Sequence, residues 1–91
     1  MNQEWRELLS HPDCRAVVSV VLENPYIEKS NLAEKSGLSA QAFENALNKL
    51  AEAIILLELA SQADSSMESR VPKKIYLVNP EIENEVKGLL R

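Results

Sequence analysis

SNLAEKSGLSAQAFENALNKL, residues Ser30 to Leu50, divides into two short helices separated by a tight turn. Ser30 and Ser39 each stand where a side-chain oxygen can accept from the first free N–H groups of a helix, and Gly37 stands where the first helix must leave with positive φ. Leu32 and Ala33 supply the inward side of the first helix, and Leu38 plugs the turn. Phe43, Ala46, Leu47 and Leu50 recur at helical spacing on the second, which gives it one buried face. Its other face carries Gln41, Glu44, Asn45 and Asn48, with Lys49 at the edge. Amides on an exposed helical face can hydrogen-bond to base edges, and they also serve as ordinary solvated polar residues.

On the N-terminal side, Glu4 to Leu9 predicts a short amphipathic helix or arm with Trp5, Leu8 and Leu9 on one side. Pro12 suits the first position of a second helix, with Ser10 or His11 near its cap. Val17, Val18, Val21 and Leu22 give that helix a buried face, and Asn24 and Pro25 end it. Ile27 can begin a very short strand.

Beyond Leu50, AEAIILLELASQ has two readings, because a short apolar run does not fix its own period. If the helix stops near Ala53, Ile54 to Ala60 becomes a strand, SQADSSMESR reverses the chain, and Val71 to Val78 returns as its antiparallel partner, forming a β-wing. If the helix continues through Leu57, as the missing Gly or Pro near Ile54 permits, one wing strand is lost and the chain becomes nearly all helical. Ile75, Leu77 and Asn79 alternate with Lys74, Tyr76 and Val78, which favours the wing. Asn79 and Pro80 then start a helix over 79–91, with Glu81 and Glu83 near its positive end, Lys87 and Arg91 near its negative end, and a stripe of Ile82, Val86 and Leu89.

A chain of 91 residues makes one domain with a single core, and 45% hydrophobic residues with only 4% aromatics make that core aliphatic. The net charge of −4 opposes binding to polyanions, since nonspecific affinity for DNA comes from Lys and Arg neutralising phosphates. Cys14 is the only cysteine, which excludes an internal disulfide and fits a reducing compartment. The N-terminus lacks the basic start and long apolar run of a secretory signal, and no stretch reaches membrane-spanning length, so a cytoplasmic protein is expected.

Catalytic and metal chemistry find little support. His11 and Cys14 fall on one helical side, but a transition-metal site needs three or four ligands; a cap or packing role is expected, with no metal and no cofactor. Glu81, Glu83 and Glu85 diverge around a helix axis and do not pair as acid and base. With no Gly-rich phosphate loop and no nucleophile beside a base, the chain is expected not to be an enzyme.

The order helix, helix, turn, helix, strand, loop, strand, helix, with LAEKSGLS followed by FENALNKLAEA, resembles the winged helix-turn-helix superfamily, broadly the MarR-like and ArsR-like bacterial and archaeal regulators. The resemblance covers roughly Pro12 to Leu90 and implies a mainly α domain with a small antiparallel β-wing. Those families commonly carry Gly where Ile54 stands, and more Arg or Lys on the recognition helix. The resemblance implies a transcriptional regulator binding duplex DNA, with Ala40 to Leu50 as recognition helix. Ser39, Gln41, Glu44, Asn45, Asn48 and Lys49 would then meet the major groove, and Arg70, Lys73 and Lys74 on the wing would meet phosphates or the minor groove. Asn or Gln would favour adenine edges. The wing cations equally suit a solvated hairpin edge, where Lys discourages unwanted strand pairing.

Glu44 and Glu52 near the contact face would meet phosphate repulsion, so a monomer should bind weakly. A homodimer doubles the contacts, with Trp5, Leu8, Leu9, Ile82, Val86 and Leu89 as candidate interface; alternatively both stripes close the monomer's own core. The acidic balance supports a second class of function, a winged-helix module that docks another protein without nucleic acid.

Overall fold

The computed structural model describes residues 3–61 and 73–90. In chain order its elements are α1 (Gln3–Ser10), α2 (Pro12–Glu23), β1 (Ile27–Glu28), α3 (Lys29–Ser36), α4 (Ala40–Glu52), β2 (Leu56–Ser61), β3 (Lys73–Val78) and α5 (Glu83–Leu89). The result is a mainly helical domain with a small three-stranded antiparallel sheet in the order β1-β3-β2. This is the β-wing alternative, and its shape is compatible with a winged-helix type of fold.

Local chemistry explains most boundaries. Pro12 occupies the first turn of α2, where its missing N–H loses nothing, and His11 caps that helix by accepting from the Asp13 N–H. Asn24 ends it, its backbone and side chain both donating to the Val20 carbonyl. Tyr26, at φ 65, turns the chain into β1. Gly37 closes α3 with φ 70, and the Ser39 hydroxyl accepts from the Ala42 N–H at the start of α4, both as the spacing predicts.

Ser30 does not cap α3. Ile27 and Glu28 pair with Tyr76 and Ile75 up to the point where the helix begins, so the N-cap is Glu28 and Ser30 falls, exposed, inside the first turn.

The end of α4 settles the ambiguity around Ile54. The Ile55 N–H donates to the Leu50 carbonyl at 3.0 Å and the Ile54 N–H to the Ala51 carbonyl at 3.1 Å, while Ile54 adopts φ 61. This pairing is a Schellman stop, which normally places glycine at the left-handed position. Here an isoleucine takes it, and Ile55 and Leu50, the pair that the motif normally brings together, are both fully buried in the core. The wing follows with Leu56 opposite Val78 and Glu58 opposite Tyr76.

The core joins Val17, Val18 and Val21 of α2, Leu32 of α3 and Phe43, Ala46, Leu47 and Leu50 of α4 to Ile27, Leu56, Tyr76 and Val78 of the sheet. Truncating a side chain such as Leu50, with 0% exposure, to alanine costs about 2–5 kcal/mol. Leu9, Ile82 and Val86 are also buried there, and Trp5, Leu8 and Leu89 pack against it, so both terminal stripes meet partners within one chain. The first helix is docked rather than a loose arm, with the Trp5 Nε1–H donating to the Ala53 carbonyl at 3.1 Å. Arg15 ties the two ends together, donating to the Leu9 carbonyl at 3.3 Å and to the Leu90 carbonyl at 2.9 Å.

The last helix starts later than Asn79–Pro80 predicts. Asn79 is held to the end of the sheet, its N–H donating to the Ile55 carbonyl and its side chain to the Ile54 carbonyl. Its carboxamide oxygen also accepts from the Glu81 N–H, which makes residues 80–82 a turn and leaves α5 only Glu83–Leu89.

Candidate nucleic-acid interface

Packing α4 against α2 and the sheet leaves Gln41, Asn45, Asn48 and Lys49 exposed along its outer side. Gln41, Asn45 and Asn48 follow one another at spacings of four and three residues, so the amides form a row on one surface. Ser39 lies at the head of this row, but its oxygen is engaged as the cap. Glu44 is only partly exposed: its carboxylate sits 2.8 Å from the Lys29 ammonium at the start of α3.

The wing lysine that the structure describes in full is likewise paired. Lys74 lies 3.5 Å from Glu58, whose other oxygen accepts from the Tyr76 hydroxyl at 2.8 Å. Burial, and then the Glu58 carboxylate, holds the Tyr76 phenol far above its ordinary range. Lys73 lies in β3, but its side chain and all of Arg70 fall outside the described residues.

Lys29 and Lys74, far apart in sequence, line one shallow notch of about 310 Å³ together with Glu28 and Ser30. Antiparallel pairing of β1 with β3 brings them together, since it sets the start of α3 beside the start of β3. Both lysine side chains are at least one-third exposed. Exposed ion pairs of this kind hold weakly, so either ammonium can turn to an external anion. Sequence reasoning included Lys74 but missed Lys29, because no local signal announces a contact made through strand pairing.

The same outer surface of α4 meets α1 and the start of α2 across an open groove of about 530 Å³, which Ser39, Gln41, Asn45 and Lys49 of the exposed row help to line. Leu8, Ala42 and Ala46 contribute apolar surface to it, Glu4, Glu7 and Asp13 bring carboxylates, and Lys49 an ammonium. Cys14, 2% exposed, lies beneath; burial pushes its thiol up, Lys49 pulls it down and Asp13 raises it again. His11 is engaged as the α2 cap, and among the described residues no group of three His, Cys, Asp or Glu is placed to hold a metal ion. No described helix is long and apolar enough to cross a membrane.

Comparison of the chain with protein-family models, with curated proteins and with solved structures found no match. The architecture and the surface chemistry therefore carry the functional argument.

Proposed function

We propose that this chain binds duplex DNA as a transcriptional regulator, with α4 entering the major groove. The observation that carries the reading is the row Gln41, Asn45 and Asn48 on the outer side of α4, with Lys29 and Lys74 converging on a notch nearby. The amides have the donor–acceptor pairs that match adenine edges, and the lysines supply charge for the flanking phosphates. Lys73 and Arg70, close to Lys74 in the sequence, add two more cations to this part of the chain.

Glu44 and the net charge of −4 oppose this attraction. Binding is therefore weak for one copy and strongest at low salt. A homodimer on a two-fold site doubles the contacts, which makes solution mass part of the same experiment. The test is a titration of labelled mixed-sequence duplex DNA across a series of salt concentrations. Lys29 and Lys74 together contribute about 2 to the steepness of log affinity against log salt, at about 0.9 per phosphate. Lys29→Gln with Lys74→Gln removes that part; no binding of the wild-type chain at micromolar concentration and low salt sinks the reading.

A second reading, docking of another protein without nucleic acid, draws support from one observation: three carboxylates stand in the groove that Gln41 and Asn45 also line. Under it, Lys73→Glu and Lys74→Glu leave any DNA signal unchanged.

A further inference from the structure

We infer that the groove between α1 and α4 receives a cationic amphipathic helix of another protein. The inference deepens the protein-docking reading and names its partner by chemistry; because Gln41 and Asn45 line the groove, a helix seated there covers part of the amide row that the DNA reading uses. The groove runs along α4 from Ser39 to Lys49. Ten residues at 1.5 Å rise give it a length of about 15 Å, nearly three turns of a helix.

Both walls are helical, since Glu4, Glu7 and Leu8 come from α1 and Ala42, Ala46 and Lys49 from α4. The ridge of a third helix fits such a trough, and alanines on one wall allow its axis to approach closely. Leu8 and Ala42, both half-buried, offer it apolar contact.

Charge selects the occupant. Glu7 and Asp13 outnumber the ammonium of Lys49 among the groove's lining, so Lys or Arg on the incoming helix is attracted and Asp or Glu repelled. A second copy of this chain is a poor match, because the chain itself carries a net charge of −4. The expected partner helix places Leu or Ile toward Leu8 and Ala42, with Lys or Arg one turn away on the side of Glu7 and Asp13.

The experiment compares two labelled synthetic helical peptides with the same apolar face, one carrying Lys at the flanking positions and one carrying Glu, by fluorescence anisotropy. The wild-type chain is expected to bind the Lys peptide, more weakly at high salt, and to bind the Glu peptide at least tenfold less. Glu7→Gln with Asp13→Asn lowers Lys-peptide affinity about three- to tenfold, the range of two exposed pairs, without changing the circular dichroism. Ala42→Phe, which fills the groove, lowers it further, and Lys29→Gln with Lys74→Gln leaves it unchanged. Preference for the Glu peptide overturns the cationic assignment and leaves the docking reading standing. Binding of neither peptide, or binding that ignores the groove variants, overturns the site itself.

Discussion

Replacing Ile54 by glycine and, separately, by alanine isolates the backbone strain that ends α4. Ile54 holds φ 61 while 57% exposed. A non-glycine residue in this region costs about 1–3 kcal/mol, and a β-branched one sits toward the upper end. Both replacements lose the same side-chain contact, about 1 kcal/mol for a half-exposed isoleucine. Alanine keeps the Cβ and with it about 1–2 kcal/mol of the clash, whereas glycine removes the clash and returns about 0.5–1 kcal/mol as unfolded-chain entropy. Ile54→Gly should therefore be more stable than Ile54→Ala by about 0.5–1 kcal/mol, which for a domain of this size separates their melting temperatures by about 2–8 °C. Inside α4 the order reverses, and Ala51→Gly costs about 1 kcal/mol. Thermal and urea denaturation, followed by circular dichroism and Trp5 fluorescence, measure all three. If Ile54→Ala melts at or above Ile54→Gly, the left-handed Schellman stop at this residue is refuted.

Three further outcomes are expected. The Tyr76 phenol has a folded pKa above its unfolded value of 10.0, so its contribution is intact below pH 10 and is lost as the pH rises beyond it; Tyr76→Phe should flatten the fall in melting temperature between pH 9 and pH 11, and parallel curves for the two proteins would contradict this. Arg15→Leu removes both bonds that hold the ends of α1 and α5, costing about 1–3 kcal/mol and speeding amide exchange in α5, whereas unchanged α5 protection denies that clamp. Glu44→Gln takes a carboxylate from the outer side of α4 and releases Lys29, so duplex DNA should bind it severalfold more tightly; equal or weaker binding in an anisotropy titration speaks against α4 as the contact helix.

Much of the helical framework was legible in the sequence because its signals are local. Ser39, Gly37, Pro12 and Asn24 act on their immediate neighbours, and the apolar spacing of Phe43, Ala46, Leu47 and Leu50 fixes one face of α4 without reference to the rest of the chain. The misreadings occur where a distant segment takes over a local choice. Pairing of β1 with β3 moves the start of α3 ahead of Ser30, and the tie between Asn79 and Ile54 delays α5. The stop at Ile54 carries no local mark, since its residue is among the least suited to the conformation it adopts. The amide row of the candidate site could be read from helical spacing alone. The Lys29–Glu44 pair, the notch shared with Lys74, and the carboxylates that α1 brings beside α4 are products of tertiary packing.

The most direct test of the central claim is an amide chemical-shift titration of the isotope-labelled chain with duplex DNA at low salt. The account predicts perturbations concentrated at Gln41, Asn45 and Asn48 on α4 and at Lys29 and Lys74 beside it, fading as salt is raised. An unperturbed spectrum, or shifts at α1, Gln41 and Asn45 that leave Asn48, Lys29 and Lys74 unmoved, would contradict it.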